Sequence, residues 1–116
     1  MLILICGDRN WINSDAIVRE LQRFGPTEDI IMHGAARGAD SMAGYEARKL
    51  GFTVRSYPAD WQQYGRSAGL IRNKLMLDQN PDLVLAFHPD IEQSKGTKHM
   101  VSIAKAKGTP TEVFNA

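Results

Sequence analysis

The sequence is short of several things, and each shortage closes off a class of protein. It has a single cysteine, Cys6, in 116 residues, so no intramolecular disulfide can form, and the chain is expected in a reducing compartment, the cytoplasm. It has no long apolar run: the opening Leu2-Ile3-Leu4-Ile5 is too short to cross a bilayer and lacks the basic start and cleavage site of a signal peptide. It has no excess of charge, because 14 Lys and Arg stand against 13 Asp and Glu for a formal net charge of +1, with no block of one sign to draw in DNA or an anionic membrane. Internal repeats, low-complexity tracts and linkers are also missing. What remains is ordinary. Hydrophobic residues make up 43% and charged residues 23% of a chain of 116, a balance and a length that suit one globular domain.

Apolar runs alternate along the chain with stretches of helical periodicity, close to five of each, the pattern of a parallel sheet covered by crossover helices. Leu2 to Cys6 reads as a central strand buried on both faces, ending at Gly7. Asn13 or Ser14 can cap a first helix with Ile17, Val18, Leu21 and Phe24 on one face, stopped by Gly25-Pro26. Asp29 to His33 is the second strand. A second helix from about Ala39 or Asp40 turns Ala39, Met42, Ala43, Ala47 and Leu50 inward and stops at Gly51. Phe52 to Tyr57 is the third strand; a polar and aromatic connection then leads to a helix over Ser67 to Gln79 with Ile71 and Leu75 stacked. Leu83 to Phe87 is the fourth strand. A helix carrying Met100, Val101 and Ala104 ends at Gly108, and Thr111 to Phe114 makes an edge strand with Pro110 tolerated at its start. The expected fold is α/β, a Rossmann-like three-layer sandwich around a mainly parallel five-stranded sheet ordered 3-2-1-4-5, forming one domain over residues 1–116. Ligands in such sheets sit at the carboxyl ends of the strands, where the winding reverses, so function is expected in the loops after strands one to four.

Those loops carry the candidate site. After strand one, Gly7-Asp8-Arg9-Asn10-Trp11 offers a glycine turn, an arginine that can fork onto phosphate and a carboxylate that can accept from a sugar hydroxyl. An exposed polar turn is an equally good reading of that pentapeptide. After strand two, His33-Gly34-Ala35-Ala36-Arg37-Gly38-Ala39-Asp40 runs into a helix, so small residues expose backbone N–H groups, the helix start adds partial positive charge and Arg37 adds a planar donor set. Asp40 is expected mainly as a helix cap, which would leave it buried. After strand three, Asp60 and Trp61 are candidates for sugar or base, although Trp61 and Tyr64 can equally cover the end of the core; Arg72 and Asn73 open the next helix. After strand four, Gly96 and Thr97 offer donors to a second phosphate oxygen. The histidines at 33, 88 and 99 lack metal-site spacing, and neither a metal nor a cofactor is expected.

Taken together, GDRNW, HGAARGAD, PADWxxYGxxAGxxRNxxM and KGTxxM occur in the order found in the YspA-like, cpYpsA-related branch of the SLOG superfamily, which the chain resembles over nearly its whole length. The resemblance implies a small Rossmann-like domain that senses or processes a nucleotide or nucleotide-derived ligand, related to NAD or ADP-ribose, and that can form homo-oligomers. It also implies an alternative. In the LOG-type phosphoribohydrolases, which cleave the N-glycosidic bond of nucleoside monophosphates, an arginine and a glutamate do the work; Arg72 resembles the arginine, and Met100 stands in the glutamate's place. Were the chain such an enzyme, Asp8, Asp40 or Asp60 would have to supply the carboxylate, with Arg72 and Asp60 the catalytic candidates. A third reading, DNA binding of the DprA kind, is disfavoured by the balanced charge.

Overall fold

An uninterrupted apolar strand has to be covered on both faces, and the sheet is built around that requirement. The computed structural model describes all 116 residues. Its strands are β1 (Leu2–Gly7), β2 (Ile30–His33), β3 (Thr53–Ser56), β4 (Leu83–Phe87) and β5 (Thr111–Phe114). They form one sheet in the order β3-β2-β1-β4-β5, with every neighbouring pair parallel. The helices are α1 (Ser14–Leu21), α2 (Ala39–Lys49), α3 (Trp61–Tyr64), α4 (Ala68–Leu77) and α5 (Gly96–Lys107), with short 3₁₀ turns at Gly65–Ser67 and Ile91–Gln93. The Rossmann-like α/β sandwich and its strand order are therefore as the sequence implies.

Alternation along β1 divides the core in two. Ile3 and Ile5 pack with Ile17 and Leu21 of α1 and Ala43 and Ala47 of α2. Leu4 and Cys6 face the other way, onto Met76 and Leu77 of α4 and Met100, Val101 and Ala104 of α5. Cys6 is the small buried strand residue expected, and burial raises its thiol pKa well above the ordinary range, so it is chemically quiet.

Several local expectations are corrected by packing. α1 ends at Leu21 rather than continuing to Gly25, because Gly25 belongs to a turn closed by Asp29, whose carboxylate accepts the Gly25 N–H at 2.8 Å and pairs with the chain's amino terminus at 2.6 Å. Asp29 thereby lies outside β2. Leu50 is exposed, and the inward position on α2 goes to Gly44, where a Cβ would run into the His33 ring. Ile71 and Leu75 stack on the outer face of α4, 38% and 50% exposed, while the inner face carries Ala68, Asn73, Met76 and Leu77. A polar side chain thus occupies an inward position that an apolar pattern assigns elsewhere.

The crossovers bring the starts of α2 and α5 to the carboxyl edge of the sheet, on opposite sides of β1. Close approach there depends on Gly7: a Cβ at that position would collide with the Phe87 carbonyl and fall 2.7 Å from the Ala39 Cβ. Gly96 faces open space. Gly7→Ala is therefore expected to lower the unfolding free energy by about 1–3 kcal/mol, and Gly96→Ala to change it by less than about 0.5 kcal/mol. Urea unfolding of the two variants checks this, and equal effects would remove the packing role assigned to Gly7.

Candidate functional site

The turn after β1 is wired in place by its own backbone. Asp8 donates its N–H to the Phe87 carbonyl at 2.8 Å, and its carbonyl accepts the N–H groups of Trp11 and Ala39 at 3.1 and 3.0 Å. Its Oδ1 accepts the Asn10 N–H at 3.1 Å. Trp11 is buried edge-on to Phe87, and its indole donates to the Asn13 carbonyl while the Asn13 side chain caps α1. Arg9 stands clear of these contacts, exposed and without a carboxylate partner.

The loop after β2 is occupied by its own acid. Asp40, only 4% exposed, accepts the Gly34 and Ala36 N–H groups on Oδ2 at 3.0 and 3.4 Å, and the Ala35 N–H goes to His33 Nδ1 at 3.0 Å. Asp40 is buried, as a cap would be, but it ties down the preceding loop rather than capping α2; the backbone donors expected to face phosphate are turned onto side chains of this same segment. Burial pushes the Asp40 pKa up to about 6, opposed by Arg72 and by the amides of Ala36, Gly34 and Gly7. His33 is held down at about 4, chiefly by burial and then by Arg48 and Arg72, and its Nε2 lies 3.1 Å from the Ser56 hydroxyl.

Two consecutive residues of α4 brace the cleft. Arg72 donates through Nη1 to the Gly34 carbonyl and through Nε to the Asn73 Oδ1 at 3.1 Å. Burial lowers its pKa, with Asp40 pulling the other way. Asn73, itself buried, donates through Nδ2 to the Gly96 carbonyl and lies 3.2 Å from His99 Nδ1. Ser94 Oγ accepts the Thr97 N–H at 3.0 Å and squares up the start of α5, whose first turn carries no acid. The leading N–H groups of a helix have no partner within it, and of those at this end Ser94 takes the Thr97 N–H.

These parts enclose a cavity of about 710 Å³ at the carboxyl edge of the sheet. Of the residues singled out in the sequence, Gly7, Asp8, Arg9, Gly34, Ala35, Asp40, Trp61, Arg72, Asn73, Gly96 and Thr97 line it. Asn10, Arg37 and Gly38 line a more open neighbouring hollow that shares only Arg9 with the cavity. Asp60 borders neither, because its carboxylate accepts the Gln63 N–H at 3.1 Å and caps α3. Trp61 is 52% exposed and walls the cavity beside Gly69 instead of covering the core. Three basic wall residues are not among the sequence candidates: Arg66, Lys95 and His88. The signal for His88 was present, since Gly7 pairs with Phe87 across β1 and β4, so the residues that follow, Asp8 and His88, emerge side by side. Met100 is fully buried in the core, so no acid stands in the place of the phosphoribohydrolase glutamate.

Comparison with known proteins identifies a family. The model of the YspA, cpYpsA-related SLOG family matches residues 1–64, more than half the chain. The chain belongs to that family. A similar protein is the Gene 61 protein of Mycobacterium phage D29, 37% identical over 121 residues that cover 97% of this chain and 94% of that protein. No solved structure matches.

The buried acid and the buried imidazole give this SLOG domain opposed responses to pH. Asp40 binds its proton more tightly when folded, so its contribution to stability is complete below about pH 4 and lost as the pH rises through about 6. His33 binds its proton more weakly when folded, so its contribution is complete above about pH 6.5 and lost as the pH falls through about 4. Asp40→Asn removes only the first. Acidification from about pH 6.5 to 4.5 is expected to destabilise that variant by about 1–2 kcal/mol more than the unaltered chain. Parallel profiles of urea unfolding against pH would show that Asp40 does not titrate in this range.

Proposed function

We propose that this protein binds a nucleotide, or a phosphorylated ligand derived from one, in the cavity at the carboxyl ends of β1, β2 and β4. The observation that carries the reading is the convergence of Arg9, Arg66, Arg72 and Lys95 with the first turn of α5 on one concave space of about 710 Å³. That volume lies within the usual span for small-ligand sites, about 300–1,000 Å³. Cations outnumber the two carboxylates on its wall, Asp8 and Asp40, and Asp40 is engaged by its own loop. Phosphate is met by Arg9, Arg72 and the α5 amides, while Trp61 offers an aromatic face for a base. Family membership supports a nucleotide-related ligand, and binding by itself requires no catalytic residue. The glycosidic hydrolase reading lacks a carboxylate at Met100, and DNA binding is disfavoured by the balanced charge of a chain of net charge +1.

Calorimetric titration with AMP, ADP-ribose, NAD and cyclic AMP tests the reading. At least one is expected to give saturable heat, with Arg9→Ala weakening it by about tenfold, as for the loss of one charge-assisted contact. Arg72→Ala is expected to cost more, because it also strips Asp40 of its counter-charge. Absence of heat from the whole panel would sink the proposal.

A further inference from the structure

We propose that Asp8 and His88 clamp a ribose hydroxyl of that ligand, so that the cavity selects ribonucleotides over their deoxy forms; this rests on the nucleotide reading above. The two side chains face each other across the β1–β4 junction with His88 Nε2 4.0 Å from Asp8 Oδ1, and both line the cavity. That separation is too long for a hydrogen bond between them. It leaves room for one oxygen at about 2.8 Å from each, with an angle near 90° at that oxygen.

The chemistry of the gap is fixed by what surrounds it. The Asp90 N–H donates to His88 Nδ1 at 3.0 Å, which places the proton of the neutral ring on Nε2, the nitrogen facing Asp8. One side therefore donates and the other accepts. A hydroxyl satisfies both at once. A phosphate oxygen would meet the Asp8 carboxylate with like charge, a carbonyl would set one acceptor against another, and an ammonium would leave the imidazole N–H without an acceptor.

Both residues are also ordered before any ligand arrives. Asp8 is held by three backbone hydrogen bonds, to Phe87, Trp11 and Ala39, and the His88 N–H donates to the Phe114 carbonyl at 2.9 Å. The side chains are only 19% and 12% exposed, so little freedom is left to lose on binding. Arg9 follows Asp8 directly in the chain and borders the same cavity, so one nucleotide has a phosphate partner and a sugar partner within adjoining residues.

The test is calorimetric titration of the full chain with AMP, GMP, CMP and UMP and with the 2′-deoxy and 3′-deoxy form of each. For whichever ribonucleotide binds, removal of one of the two hydroxyls is expected to weaken affinity by about tenfold to a hundredfold, the loss that follows when a polar pair is left unpaired. His88→Ala is expected to weaken the ribonucleotide by a similar factor, to leave the deoxy form unchanged and so to make the two equal. Equal affinities for ribo and both deoxy forms in the unaltered protein overturn the clamp while leaving the nucleotide reading intact. Discrimination that survives in His88→Ala overturns the assignment to this pair. Failure of all four ribonucleotides to bind overturns the clamp as a site for nucleoside monophosphates, and failure of ADP-ribose, NAD and cyclic AMP as well overturns the nucleotide reading. Should His88→Ala not fold, the comparison in the unaltered protein still decides.

Discussion

The cavity depends on a buried carboxylate that would be intolerable alone. An ionised acid removed from water needs a counter-charge and hydrogen-bond donors, and Asp40 has both: the guanidinium of Arg72 on one side and the N–H groups of Gly34 and Ala36 on the other. Arg72 is in turn half buried and relies on Asp40, the Gly34 carbonyl and Asn73. Asn73 carries the chain of contacts across to Gly96. Three segments that are distant in sequence, the β2–α2 loop with the first turn of α2, the middle of α4 and the beginning of α5, are thereby held as one frame. Loss of a single member leaves another uncompensated, which is why this network controls the shape of the site and not merely one wall of it.

That frame assigns different work to two loops of similar composition. Gly34 to Gly38 and Lys95 to Thr97 both put small residues ahead of a helix, and composition alone makes each an anion site. The distinction lies in the first helical turn. α2 carries Asp40 there, and the carboxylate folds back on the loop to take its donors; α5 carries no acid in its first turn. The first loop gives its Gly34 and Ala36 N–H groups to Asp40, whereas the second gives up only its Thr97 N–H, to Ser94. Arg37 follows from the same cause, since a loop drawn inward onto Asp40 turns its exposed arginine to the neighbouring hollow.

The fold was legible in the sequence because it rests on long, redundant patterns. β4 and β5 were read to the residue, and the order of strands followed from crossover handedness once the alternation of runs was seen. Single side chains were harder wherever a polar group had taken an inward place. Asn73 faces in because Gly96 and His99 satisfy it, and that reverses the face on which Ile71 and Leu75 lie. Gly44 is inward because the His33 ring needs the space. The site is legible by loop but not by atom: eleven of fifteen candidate residues reach the cavity, yet Asp60 is spent on a cap, and His88, without metal-site spacing, carries no motif that marks it as a wall residue. Strand register would have found it, for the residues leaving two adjacent parallel strands at the same level are neighbours by construction.

The cavity's chemistry is divided along the chain in a way that bears on ligand choice. Residues 1–64, which the family model covers, supply the turn at Asp8 and Arg9, the self-satisfied loop around Asp40 and the Trp61 wall. Arg66, Arg72, His88, Lys95 and Gly96 all come from beyond that point. The earlier half therefore contributes close contacts such as that of Gly7 with Phe87 and Ala39, together with Asp8, Arg9 and Trp61 on the wall, and the later half supplies three of the four Arg and Lys side chains and the start of α5. The relative from phage D29 matches across both halves, so the resemblance there extends beyond residues 1–64 to the part of the chain that contributes Arg66, Arg72, His88 and Lys95 to the cavity wall.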